Sequence, residues 1–309
     1  MMESPKYIDL LTDFGFKRVF GDKELLIAFL NALFESEGKV IKSVTYINKE
    51  MTPMSKDDRT IIYDVLCKVD GEEDFILEMQ HKPQETFRER SLYYMARAIE
   101  AQGRGKRNWK YKLHPVYGIF ITNFHLKEVD LPDEPVTKVA LMNCNTNKIF
   151  TNKLRMFFID LLCFKKKNED ELENNLERWI YSIRNMGTMT TAPRMAKMPT
   201  FNRLYTVSEL AAMTTRQRNQ YERSLKQHRD MLADKETTKI RMQREREEGL
   251  LEGMEKGMEK GMQKGMQKGE AIGMQKGILS TAKKMKEIGV SSDIISNATG
   301  LSIEDIEKL

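Results

Sequence analysis

From residue 59 the chain reads RTIIYDVLCKV, then an acidic turn around Asp70 and Gly71, then DFILEMQ, ending at residue 80. Two β-rich runs around an Asp-Gly turn are a strong hairpin signal. Strand side chains alternate, so Phe75, Leu77 and Met79 take one face and Ile76, Glu78 and Gln80 the other. A loop centred on Gly71 sets Asp64 directly across from Glu78. A loop centred one residue later sets it across from Gln80 and diagonal to Glu78. In either register the three polar groups share a face, with opposed Cβ atoms ~4.5–5.5 Å apart. One hard cation, held at ~2.0–2.1 Å from oxygen, can bridge two carboxylates at that separation. Among neighbours such as Ile62, Leu66 and Ile76, two carboxylates resist ionisation unless positive charge lies between them. A divalent ion supplies that charge, activates water and stabilises charge on a phosphate. Solvated acids on the polar side of an ordinary hairpin would give the same pattern.

Several elements must surround this hairpin. Phe16, Val19, Phe20, Leu25, Leu26, Phe29, Leu30 and Leu33 have helical spacing, recapped or interrupted at Gly21-Asp22. Residues 87–102 read as a helix with Leu92, Met95, Ala96 and Ile99 on one side. VYGIFITN at 116–123 is nearly all apolar, as a strand covered on both faces would be. Strands are expected again at 136–143 and 154–162, and a helix at 172–186. Helix, hairpin, helix, three strands and helix imply an α/β sandwich around a mixed sheet.

Composition narrows the classes. With 309 residues, 40% hydrophobic and 31% charged, the chain has room for one sizeable domain plus appendages. A net charge of +5 permits an anionic partner without demanding one. Cys67, Cys144 and Cys163 are few and far apart, which argues against a disulfide framework or structural zinc and for reduced thiols in the cytoplasm. His81, His114, His125 and His228 show no HxxxH spacing, so a zinc hydrolase has little support. No leader pattern opens the sequence, and no apolar run has the ~18 residues of a membrane span. GRGKRNWKYK at 103–112 sets Lys106, Arg107 and Lys110 beside Trp109 and Tyr111. Such a loop suits phosphate and base contacts, or is simply solvated.

Three segments follow from the pattern: a core over 1–205, a polar segment over 206–277, and a small helical tail over 278–309. Glycine recurs every fourth residue from Gly249 to Gly277, with Met254, Met258, Met262, Met266 and Met274 one place later. Eight glycines in a helix cost about 6–8 kcal/mol relative to alanine. A helical repeat therefore needs partners, which points to a homo-oligomer; a flexible low-complexity linker is the alternative. The tail reads as three short helices, with Ser291 or Ser292 and Ser302 as caps. It resembles a helix-turn-helix whose acidic last segment favours a protein contact over DNA.

An Asp, a turn, then Glu-x-Gln on the next strand resembles the PD-(D/E)XK nuclease superfamily. More closely, the chain resembles the Rpn family of recombination-promoting nucleases and transposases. The matching segments are TDFGFKRVFG at 12–21, LLIAFLNALF at 25–34, YDVLCKV at 63–69 and FILEMQ at 75–80. RERSLYYMAR at 88–97, VYGIFITNF at 116–124, FFIDLLCFKK at 157–166 and YERSLKQHRD at 221–230 continue the order. The resemblance implies a restriction-endonuclease-like α/β core and a Mg²⁺-dependent (or other divalent-ion-dependent) endonuclease acting on DNA. It assigns Asp64 and Glu78 as metal ligands, with the Met79 carbonyl as a third. Gln80 stands where the superfamily has lysine, and an amide can orient water but cannot carry charge. Lys82 has the parity to lend charge; a surface lysine is the other reading. Asp13 matches an early helix acid or is an N-cap. Arg88, Arg90 and Tyr93 lie on the helix after the active strand, where phosphate contacts or a solvent edge are expected. Asp160 receives no chemical role. A catalytically weak DNA-binding or protein-interaction module on the same fold is the second reading, for which Gln80 is the best support.

Overall fold

The computed structural model describes residues 4–47, 50–51, 61–81, 83–84, 86–104, 108–126 and 134–309. Two compact units divide the chain, Met1–Lys235 and Glu236–Leu309. The first unit runs α1 (Asp13–Phe20), α2 (Lys23–Phe34), β1 (Val44–Tyr46), β2 (Glu50–Met51), β3 (Ile61–Ile62), β4 (Val65–Val69) and β5 (Glu73–Gln80). It continues with α3 (Phe87–Gly103), β6 (Val116–Thr122), β7 (Val136–Asn143), β8 (Lys148–Asp160), α4 (Asn175–Asn185), α5 (Pro199–Val207) and the start of α6 (Thr215–Glu287). Among the described residues no helix is long and apolar enough to cross a membrane.

Six strands form one sheet in the order β1-β4-β5-β6-β8-β7. The outer pairs are antiparallel, whereas β5, β6 and β8 run parallel. The β4–β5 turn works because Asp70 and Gly71 both take positive φ, 46° and 83°, which Gly adopts without penalty and Asp tolerates. The Asp70 carboxylate accepts the Lys42 and Ser43 amides at 3.1 and 2.9 Å, tethering the chain that enters β1. Val65 pairs with Leu77 and Leu66 with Ile76. Of the two registers open in the sequence, this is the one centred on Gly71. Strand β4 starts only at Val65, so Asp64 is a bend residue and not part of the strand expected over 59–69. The ladder gives way there to side-chain bonds, described below.

Period-two burial fixes the faces. Val65, Cys67, Phe75, Leu77, Ile119, Ile121, Phe157 and Ile159 pack with the helices α1, α2, α4 and α5. Phe34 of α2 meets Phe75, Tyr117 and Phe157 edge-on at 5.6, 5.3 and 4.8 Å. Leu66, Ile76, Phe120 and Phe158 face the other way, under Phe87, Met95 and Ala98 of α3. Each aromatic buried this way contributes about 1.5–3 kcal/mol, so a one-residue slip, which would exchange the two sets between cores packed to fit the other, is strongly disfavoured. Glu78 and Gln80, which share parity with Ile76, are thereby held on the α3 side.

Two local expectations need correction. On α3 the buried face is Phe87, Ser91, Met95 and Ala98, while Leu92 and Ala96 are exposed, because Phe87 opens the stripe one helical turn ahead of Ser91. The N-cap of α1 is Thr12, whose hydroxyl accepts the Gly15 amide at 3.1 Å; Asp13 is the first helical residue and pairs with Lys17.

Close approach of α3 to the sheet depends on Gly118. A Cβ there would lie 2.6 Å from Met95 Sδ and 2.6 Å from a Phe120 ring carbon. Gly118→Val is expected to destabilise the fold by about 1–3 kcal/mol, read as a lower urea midpoint at unchanged m. An unchanged midpoint would show that α3 can lift from the sheet without cost.

In the second unit, α6 is followed by α7 (Ser292–Thr299) and α8 (Ile303–Glu307). Ala282, Ile295 and Ile306 form a small core, flanked by Met285, Val290, Leu301 and Leu309. Ser302 caps α8 by accepting the Asp305 amide at 3.2 Å, and Gly300 ends α7 at φ 72°. The repeat glycines 249–277 lie within α6, with open space around each, and Met254, Met258, Met262, Met266 and Met274 are exposed.

Candidate active site

Strand β5 carries Glu78, and the bend before β4 carries Asp64. The Asp64 amide donates to Glu78 Oε1 at 2.9 Å, and the Met79 amide donates to Asp64 Oδ2 at 3.1 Å. The two acids are thus interlocked across the antiparallel pair, each side chain satisfied by the opposite backbone. Glu78 is buried, at 7% exposure. Burial first, and the neighbouring Asp64 charge second, push its carboxyl up to about 8; the Asp64 amide, Arg90 and Lys17 act in the opposite direction without cancelling the rise.

Two tyrosines roof the pair. Tyr63 is fully buried, its ring edge-on to Tyr94 at 5.3 Å, and its hydroxyl donates to the Tyr94 carbonyl at 3.1 Å. Both phenols are raised, chiefly by burial and then by the nearby Glu78 charge. Ile62, an expected apolar neighbour, is exposed instead.

Gln80 is two residues beyond Glu78 on the same face. Its Oε1 accepts from Arg90 Nη2 at 2.7 Å, while Arg90 Nη1 donates to Gln84 Oε1 at 2.7 Å. The guanidinium lies over the rings of Phe87 and Tyr94, 5.0 and 5.7 Å from their centroids. Stacking and a fixed fork make Arg90 a preorganised charge beside the acids. Arg88 and Tyr93 are exposed on the same helix.

Lys17 was not singled out from the sequence, although it lies one helical turn after Asp13. It acts electrostatically on Glu78 and pairs with Asp13. Asp13, Lys17, Arg18 and Arg223 contribute to a cleft of ≈ 500 Å³ between α1 and the first turns of α6. Those turns are seated on the start of the chain: the Asp9 amide donates to the Tyr221 hydroxyl at 3.0 Å and the Phe14 amide to Ser224 Oγ at 3.1 Å. His81, next to Gln80, meets His228 of α6 edge-on at 4.8 Å. Burial first, then His228 and Lys235, lowers the His81 imidazole to about 4, so it is neutral at pH 7.

The described residues of the 103–112 segment, 103–104 and 108–112, are not brought to this site. The Trp109 ring packs against Gly103, and Gln102 donates to Asp74 Oδ2 and to the His114 carbonyl, both at 3.1 Å. That is the opposite end of α3 from Arg90, about 20 Å along the helix at ~1.5 Å per residue. Lys110 is exposed there; Lys106, Arg107 and Lys82 lie outside the described residues.

A mixed six-stranded sheet with helices on both faces and two acids at its β4–β5 pair is a restriction-endonuclease-like α/β arrangement. A family model described as PD-(D/E)XK nuclease family transposase matches residues 10–238, and the chain belongs to that family. No curated protein and no solved structure matches the chain.

Proposed function

We propose that this chain is a divalent-metal-dependent DNA endonuclease, with the reaction centred on Asp64 and Glu78. The carrying observation is the interlocked acid pair, in which Glu78 is buried and its carboxyl is pushed up to about 8, first by burial and then by Asp64. That donor set, two carboxylates with the Met79 backbone between them, fits a hard cation. When bound, the ion would lower the pKa of a coordinated water and neutralise charge developing on the scissile phosphate. The chain's own residues do the rest. Asp64 and Glu78 would hold the ion through their carboxylate oxygens, and Gln80 offers an amide to orient water or phosphate. Arg90 and Lys17 supply the positive charge that Gln80 lacks, and Arg88 and Tyr93 extend the contact surface along α3. Asp13 acts through Lys17, setting its direction. Mobile-element movement or recombination is the biological setting consistent with the family.

Supercoiled plasmid incubated with the full chain and Mg²⁺ is expected to be nicked, and chelation by EDTA is expected to abolish nicking. Binding without nicking under Mg²⁺ or Mn²⁺ would favour the second reading, a DNA-binding module that kept the fold. The Arg90–Gln80 bond is the observation on that side, because it occupies the amide oxygen.

Arg90→Ala is expected to weaken DNA binding and to reduce the slope of log K against log salt by about one. An unchanged slope would remove Arg90 from the phosphate path.

For the rest of the chain, the proposed organisation is a nuclease core (1–205), a helical segment (206–277) and a terminal cap (278–309). The exposed methionines and open glycines of α6 support self-association. Deleting residues 249–277 is expected to reduce the sedimenting mass to that of a smaller assembly. The same oligomeric state with and without them would remove the repeat from assembly.

A further inference from the structure

We propose that His125, Asp160 and Cys163 bind a thiophilic divalent ion such as Zn²⁺, at a site separate from the Asp64–Glu78 pair. His125 Nδ1 lies 2.7 Å from Asp160 Oδ2, Cys163 Sγ lies 3.4 Å from the same oxygen, and Sγ lies 3.6 Å from Nδ1. All three donor atoms fall within 4.8 Å of one another. None of the three cysteines is in a disulfide. Asp160 and Cys163 are buried at 4% and 6% exposure, while the His125 side chain is 56% exposed. Two ligands are therefore rooted in the fold and the third closes from the solvent side.

Geometry separates this cluster from a catalytic relay. In a thiol–imidazole–carboxylate relay the acid and the thiol use different ring nitrogens. Here both approach Nδ1, so the donors converge on a point. Tetrahedral coordination with Zn–S ~2.3 Å and Zn–N ~2.0–2.1 Å gives ligand–ligand edges of about 3.5 Å. Both sulfur edges already have that length; only the His125–Asp160 edge must open, and His125 has the exposure to move. The second carboxylate oxygen accepts the Leu162 amide at 2.7 Å, which fixes the orientation of Asp160.

A sulfur, nitrogen and oxygen set selects Zn²⁺-like ions over Mg²⁺, which prefers oxygen ligands alone. Coordination would release the Cys163 thiol proton to solvent and leave the imidazole proton on Nε2. Three protein ligands leave a fourth position for water. Thr122, which pairs with Asp160 across the ladder, adds a fully buried hydroxyl without a partner on that face. In the same register Gln80 pairs with Thr122. Asp160 is thus two strands from Gln80, about 9–10 Å at ~4.8 Å per strand. The ion would pin the chain leaving β6 to the end of β8 at the rim of the active face.

Co²⁺ is the probe. The full chain, kept reduced with a phosphine, is expected to develop a thiolate-to-cobalt charge-transfer absorption, worth one cobalt per chain, that Zn²⁺ displaces. Cys163→Ser should abolish the band, while Cys67→Ala, Cys144→Ser and Asp64→Asn should keep it; the last separates this site from the nuclease reading. His125→Ala, at an exposed position, should weaken Co²⁺ binding at least about tenfold even if Cys163→Ser fails to fold. No band in the wild type, a band that survives Cys163→Ser, or unchanged affinity in His125→Ala would overturn the proposal.

Discussion

Glu78→Gln is expected to make the metal-free protein more stable than the wild type at pH 8, and to abolish stabilisation by Mg²⁺. An unfolded glutamate titrates near 4.3, whereas Glu78 in the fold is pushed up to about 8, first by burial and then by Asp64. Between those pH values the folded chain keeps a proton that the unfolded chain has released. Wild-type stability therefore falls as pH rises through that window and levels off above it. Glutamine keeps the acceptor for the Asp64 amide without a group to ionise, so the variant's curve should be flatter there. Each pKa unit is worth about 1.4 kcal/mol. Even one retained unit moves Tm by about 3–6 °C in a unit of this size. Mg²⁺ competes with the proton, so its stabilisation of the wild type should be greater at pH 8 than at pH 6. Melting curves with and without Mg²⁺ at the two pH values check both halves. Coincident pH curves for variant and wild type would mean that Glu78 is not the titrating acid.

Asp64→Asn is expected to produce the largest loss of activity. Asparagine is nearly isosteric and still accepts the Met79 amide, so the hairpin should fold. What it loses is the charge that would hold the ion. Disturbing a group merely in contact with a ligand costs about 10–100-fold, so removing a ligand charge should cost about a hundredfold or more in nicking rate. The same substitution removes a negative neighbour from Glu78. The remaining activity should therefore reach its plateau at lower pH than in the wild type. Activity within a few-fold of wild type would remove Asp64 from the chemistry.

Much of this centre could be read from residues 63–80 alone, because a strand has a fixed period of two. DFILEMQ could not place Glu78 and Gln80 anywhere but opposite Phe75, Leu77 and Met79, and the Asp70-Gly71 turn restricted the register to two choices. The structure takes the register centred on Gly71, and its turn is tethered by Lys42 and Ser43, contacts that no local pattern encodes. Strand β1 itself, three residues at a sheet edge, is too short for its alternation to register. Contacts between distant segments were the least legible. Lys17 acts on Glu78 electrostatically from α1, and Tyr221 and Ser224 seat α6 on residues more than 200 positions earlier. Asp160 and Cys163 meet His125 only because β6 and β8 run parallel with Thr122 paired to Asp160. Four scattered histidines and three scattered cysteines gave no spacing from which to find that cluster, since the sheet order, not the sequence interval, brings them together.

The most direct measurement is anomalous diffraction from crystals of the full chain soaked in Mn²⁺. A peak bonded to carboxylate oxygens of both Asp64 and Glu78 is expected, with Glu78 turned from the Asp64 amide toward the ion. A peak on one acid alone, or no peak while the two side chains keep their present hydrogen bonds, would contradict a shared cation at this hairpin.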